Sequence, residues 1–173
     1  VSRIVRFGLM MLFASTIAAM GVIGDSTAVV IGAMLIAPLI NPMMGMALSL
    51  ASGWPGRLGR SAAAVVAGTA ISVGSGFILS AVFGAAVDLE TNTQVTSRAS
   101  PTLGDLMVAV AAGAAGAYAL SRRDVSSSLP GVAIAIALVP PLSVVGVAVE
   151  KGDGTAALGT LLLFLTNLVA ILV

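Results

Sequence analysis

Apolar residues fill six long runs in this chain, and polar residues collect in short stretches between them. The runs cover about residues 5–24, 26–52, 58–87, 103–121, 127–149 and 155–173. A helix that crosses a bilayer needs about 20 apolar residues, because it rises 1.5 Å per residue through about 30 Å of hydrocarbon. No run shows the continuous polar face of a helix on a water-soluble domain. The pattern predicts an all-α membrane protein with six transmembrane helices. The second and fifth runs carry prolines near their centres and are predicted to be broken there.

Composition agrees with this reading. The chain is 58% hydrophobic and 9% charged, with a mean hydropathy of +1.13. A soluble domain carries about 25% charged residues, so lipid is the expected solvent. The net charge of +1 supplies no basic field for nucleic acid. Cysteine and histidine are absent, which excludes disulfides, thiol catalysis, Cys/His zinc sites and haem ligation by histidine within this segment. No nucleotide-binding loop is present, and the carboxylates lie in short loops without an identifiable cleft. No enzyme activity, catalytic residue, metal or cofactor is expected. The chain begins at Val1 beside a hydrophobic run, as expected of a core cut from a longer protein with a soluble region.

Charge gives an independent test of the count. Arg3 and Arg6, Arg57 and Arg60, and Arg122 and Arg123 all fall on one side if six runs alternate across the bilayer. Arg98 and Lys151 fall on the other, with Asp25, Asp88, Glu90, Asp105, Glu150 and Asp153 on or near it. The positive-inside rule makes the arginine side cytoplasmic, with both termini there, and the expected location is a plasma membrane of bacterial type.

The two broken runs resemble each other. With Pro38 set against Pro141, Val29 matches Val132, Ile31 matches Ile134, Leu35 matches Leu138 and Leu39 matches Leu142. One copy falls in each three-helix half, about 1–87 and 101–173 of a single transmembrane domain. Three crossings are odd, so the second half would enter from the opposite side, as in inverted-repeat transporters. Proline removes a backbone donor and clashes one turn back. Pro38 with Pro42, and Pro140 with Pro141, should therefore leave backbone groups free near mid-membrane, where protein, water or a solute must satisfy them.

The stretch Gly24-Asp-Ser-Thr-Ala-Val-Val-Ile-Gly-Ala-Met-Leu-Ile-Ala-Pro-Leu-Ile-Asn-Pro-Met43 resembles the hallmark of the bacterial "domain of unknown function 389" family of hydrophobic membrane proteins. Residues 101–106, 111–118 and 130–142 resemble the same family. The resemblance implies a multi-pass inner-membrane protein, often carrying an extra soluble region, and implies no particular activity.

Pro38, Asn41, Pro42, Pro140, Pro141 and Ser143 are the expected solute- or ion-binding residues. Asn41 suits either a polar solute or a cap on the second half-helix. Asp25 reads as an N-cap for the second run or as a coupling carboxylate. Asp105, three residues after Thr102, reads as part of a capping box, or as a coupling carboxylate if its helix starts deep in the membrane. Gly68, Ser72, Gly76 and Ser80 form a stripe of small residues at every fourth position of the third run, which allows close helix approach. Ala109, Gly113 and Ala117 repeat that spacing in the fourth. Whether these stripes meet within one chain or between chains is left open by sequence, and a homodimer is the expected assembly.

The expected function is that of a secondary transporter moving a small polar solute or ion. Its partners would be that solute and the lipid bilayer, with no nucleic acid. The alternatives are an ion channel and a non-transporting oligomeric anchor or sensor module.

Overall fold

The computed structural model describes residues 2–121 and 138–172. Arg122, Arg123, Asp124 and residues 131–137 of the second motif copy lie outside the described residues. Eight helices and no strand occur among the described residues: α1 Arg3–Ile23, α2 Thr27–Ile36, α3 Ile40–Ser52, α4 Pro55–Phe83, α5 Thr93–Ala99, α6 Leu103–Ser121, α7 Val139–Glu150 and α8 Gly154–Leu172.

Local chemistry sets most boundaries. Ser2 caps α1, accepting the Val5 N–H on Oγ at 3.3 Å. Ala37 takes φ −65° and ψ 122°, the extended geometry that a following proline favours. The second run therefore divides into α2 and α3, whose axes differ by 53°. Gly53 ends α3 at φ 65°, a left-handed conformation open to glycine at no steric cost. Pro55 then opens α4 at its first turn, where its missing N–H is no loss. That start precedes the expected 58, and α4 stops at Phe83, before the expected 87.

α5 is a helix that hydrophobic patterning did not predict. It has little apolar periodicity and is instead built by capping, described below. It meets α6 at 87°, with Pro101 in the elbow. α1, α4 and α8 are long and apolar enough to cross a membrane, and up to five spans result if each bent pair counts as one. α7 is apolar but shorter, at 12 residues. These are the helices of a membrane-embedded protein. Large apolar side chains such as Ile4, Phe13, Val66, Ile78, Val82, Met107 and Val169 face outward, as contact with lipid requires.

Packing gives each helix a direction. Gly68 of α4 lies against Phe7 and Met11 of α1, and Ser72 Oγ is 2.8 Å from Ser15 Oγ. Residue numbers rise together along this contact, so α1 and α4 are parallel. Gly76 lies against Ser143 and Gly146 of α7, and Ser80 Oγ donates to Glu150 Oε2 at 2.7 Å. α7 therefore runs the same way. α3 turns tightly into α4 and packs antiparallel to it, with Gly45 against Ser61. Arg3, Arg6, Arg57 and Arg60 thus gather at one end of the bundle, and Asp25, Asp88, Glu150 and Asp153 at the other. We call these the arginine end and the acidic end.

α7 is the centre of the molecule. Every residue from Val139 to Ala148 is buried. Its closest neighbour is α4, because Gly76 and Gly146 carry no side chain where the two backbones meet. A Cβ added to Gly146 would lie 2.6 Å from the Phe77 nitrogen and 2.9 Å from the Gly76 Cα. The Gly68, Ser72, Gly76 and Ser80 stripe is buried and turned toward α1 and α7 of the same chain.

Candidate functional site

The structure brings the two proline breaks together but leaves almost no space between them. Ala37, Leu39 and Ile40 at the first break face Leu138 and Val139 at the start of α7 across a gap of about 10 Å³. That is at or below what one water needs, and the lining is apolar. Asn41 stands at the second position of α3 with its side chain exposed, and Leu39 occupies the cap position with no side-chain bond. Pro38 and Pro42 are half-buried. Pro140, Pro141 and Ser143 are buried in α7. The Ser143 hydroxyl makes no hydrogen bond among the described residues.

A second cavity, of about 180 Å³, has Pro141 on its wall. Its polar walls are Ser97 and Arg98 from the end of α5, Asp105 from the first turn of α6 and Asn167 from α8. Pro141 and Leu163 contribute apolar wall. Water occupies about 30 Å³ per molecule in the liquid, so the cavity suits a solute of a few heavy atoms.

Arg98 is placed by a chain of hydrogen bonds that starts at the acidic end. Asn92 caps α5: its Oδ1 accepts from the Gln94 and Val95 N–H groups at 3.0 and 3.1 Å. Its Nδ2 donates to the Val22 carbonyl at the end of α1, at 2.8 Å. Asp25, held at φ 47°, does not cap α2. Ser26 occupies that position without a side-chain bond. Asp25 Oδ1 instead accepts from Thr93 Oγ1 at 2.5 Å and from the Gln94 N–H at 3.1 Å. The Thr93 hydroxyl, and secondarily the Gln94 N–H, hold the Asp25 carboxyl below its ordinary value. Gln94 is buried. Its Nε2 donates to Thr27 Oγ1 at 2.8 Å, which leaves its Oε1 for the Arg98 guanidinium. Arg98 Nη1 donates to Gln94 O at 2.7 Å, Gln94 Oε1 at 3.1 Å and Ser97 Oγ at 3.2 Å.

Asp105 sits in a reciprocal cap. Its Oδ2 accepts from the Thr102 N–H at 2.8 Å and the Thr102 hydroxyl at 2.7 Å, while its own N–H donates to Thr102 Oγ1 at 3.3 Å. The same carboxylate faces the cavity.

Helix register gives the depth. Gly113 of α6 packs on Ala170 of α8, and Val108 and Ala109 share the cavity wall with Leu163 and Asn167, so α6 and α8 are parallel. Asp105 lies eight residues before Gly113, level with residue 162. At 1.5 Å per residue that is about 12 Å below the start of α8 at the acidic end. Pro141 precedes Glu150 by nine residues, which places it about 14 Å from the same end. Ala99 packs on Gly159, which places the neighbouring Arg98 nearer the acidic end, at about 8 Å.

Sequence reasoning treated Arg98 as a loop charge and passed over Asn92, Gln94 and Ser97. The available signal was Asn92 at a cap position followed by Gln94 and Arg98 at helical spacing. A larger groove of about 1090 Å³ between α3, α6 and α8 is lined almost wholly by apolar side chains. Its Thr166 hydroxyl already donates to the Leu162 carbonyl, so this groove offers nothing to a polar solute.

The profile of the family described as "Domain of unknown function (DUF389)" matches residues 34–173. An uncharacterised protein of Methanocaldococcus jannaschii is 32% identical over 173 residues, covering 99% of this chain and 52% of that protein. The chain thus spans about half the length of this relative. No solved structure matches the chain significantly. With most of its length matched, from the first proline break through α8, the chain belongs to the DUF389 family.

Proposed function

We propose that this chain is the membrane core of a secondary-transporter-like protein, which takes a small polar solute or ion into the Arg98–Asp105–Asn167 cavity. The observation that carries this reading is a cavity walled by Arg98, Asp105 and Asn167 within an apolar bundle. Ionisable groups among membrane helices are costly and characteristically mark solute pathways. In this reading the bundle has six spans, with the arginine end cytoplasmic, in a plasma membrane.

A 3+3 inverted repeat accompanies the proposal. α3 and α7 run in opposite directions and each begins at a proline break, although Pro42, and not the Pro38 of the sequence alignment, takes the third helical position that Pro141 holds in α7. Sliding of the two halves at the dry joint between Ala37, Leu39 and Ile40 on one side and Leu138 and Val139 on the other would open the cavity to one side and then the other. Asp105 is the proposed coupling carboxylate. Asp25 is assigned to holding α5. A homodimer belongs to the same reading: the exposed Asn41 at the break makes no hydrogen bond among the described residues, and a polar amide on a membrane helix needs a partner. Scattering mass measured in nanodiscs tests this, and a monomer removes it.

The test of the function is the melting temperature of the purified protein against a panel of ions, amino acids and small metabolites. A bound solute raises it with occupancy. The expected response is lost in Asn167→Ala and kept in Asn41→Ala. The reverse pattern would move the site to the proline break. A flat panel would favour the second reading, a non-transporting membrane module, which the dry contact between the breaks also suits.

A further inference from the structure

We infer that the solute is an anion, a small carboxylate or oxyanion gripped by the Arg98 guanidinium; this rests on the solute-site reading above. Arg98 is the cationic side chain on the cavity wall. An arginine stays charged under all ordinary conditions and carries five N–H donors in a planar fork. Here Nη1 alone is engaged, and its three acceptors are all uncharged oxygens of Gln94 and Ser97. Among the described residues, Nε and Nη2 make no hydrogen bond and no carboxylate lies within 4 Å of the group.

Arg98 is partly buried, and a guanidinium drawn out of water without a counter-ion carries a cost that falls when an anion completes its shell. The remaining edge of the fork matches two oxygens of one carboxylate or phosphate-like group. Gln94 holds the other edge still. It is fixed by Thr27 and Asp25, so the fork is aimed before the ligand arrives.

Asp105 is the opposing charge on the wall. Its Oδ2 is already occupied by two donors from Thr102, so it needs a ligand less than Arg98 does. Its negative charge weakens an anion at Arg98 and does not assist it. Asp105→Asn should therefore tighten anion binding, while the asparagine oxygen can still accept from Thr102 and keep the cap. A cation site would respond in the opposite sense.

The experiment measures melting temperature in detergent against sodium acetate, sodium phosphate and sodium sulfate, with choline chloride at matched ionic strength as reference. At least one oxyanion should stabilise the protein in a saturable way. Arg98→Gln should weaken the apparent affinity about 10- to 100-fold, the range of a lost charge-assisted bond. Arg98→Lys keeps the charge and loses the fork, so it should weaken binding less. It is also the informative variant if Arg98→Gln does not purify as a monodisperse species. An oxyanion shift equal in wild type, both Arg98 variants and Asp105→Asn would place the ion elsewhere and overturn the inference. Stabilisation by a cation or neutral solute, abolished in Asp105→Asn or Asn167→Ala and kept in Arg98→Gln, would overturn the anion assignment and leave the solute site standing. No response to any solute would remove both.

Discussion

Two glycines two residues apart in α4 should respond to the same substitution with opposite signs. At Gly76 an added Cβ would lie 3.2 Å from the Gly146 Cα and 3.1 Å from the Ser143 carbonyl carbon. These are backbone atoms, so no rotamer change relieves them. Ordinary contact begins near 3.4 Å, which means α7 must move away by about half an ångström or more. Overpacking of this kind costs about 1–3 kcal/mol. At Gly74 an added Cβ meets nothing within 4 Å, and alanine in place of glycine gains up to about 1 kcal/mol of helix propensity. Gly76→Ala and Gly74→Ala should thus differ by about 2–4 kcal/mol, or on the order of 10 °C in melting temperature for a chain of this size. Thermal unfolding of both variants in one detergent measures the difference directly. Displacement of α7 also shifts Pro141, a wall of the cavity, so Gly76→Ala should weaken any solute response found in wild type. Equal stability of the two variants would refute the claim that the α4 and α7 backbones touch at this point.

The tether of α5 yields two more predictions. Asn92→Ala removes a helix cap and leaves the Val22 carbonyl without its donor, a loss of about 2 kcal/mol; hydrogen exchange at the Gln94 and Val95 amides should accelerate well before global unfolding. The carboxyl of Asp25 is held below its ordinary value of 3.8 by Thr93 and Gln94. A depressed folded value contributes stability that is present above 3.8 and disappears as pH falls through the folded value. Melting temperature followed from about pH 6 to pH 3 should decline less steeply in Asp25→Asn than in wild type, and parallel curves would show that the contact does not titrate with folding.

Much of the architecture was legible before any coordinates. Run length, the near absence of charge and the placement of arginines are properties of the chain that survive any packing. The prolines at 38 and 42, and at 140 and 141, marked where helices start or stop, because a missing N–H acts on the adjacent turn whatever lies around it. The four-residue spacing of Gly68, Ser72, Gly76 and Ser80 announced a close-packed face. It did not say that α1 and α7 would be the neighbours. Thr102 and Asp105 pair as their spacing suggested, since a capping box closes within three residues.

What sequence left open was where polar groups from distant segments would meet. Asn41 looked like the best solute ligand, because it stands between two prolines in the middle of an apolar run. Its side chain faces outward, and the breaks meet through apolar side chains alone. Arg98 looked like a loop charge, yet a short helix that begins at Asn92 and is held by Asp25 carries it into the bundle. The depth of Asp105 follows from the parallel register of α6 on α8, set by Gly113 against Ala170. Hydrophobicity determines which segments enter the membrane, because transfer from water depends on each segment's own composition. The cavity depends on which helices run parallel and how far one slides along the other. Those choices come from surface shapes that become neighbours only when the helices pack.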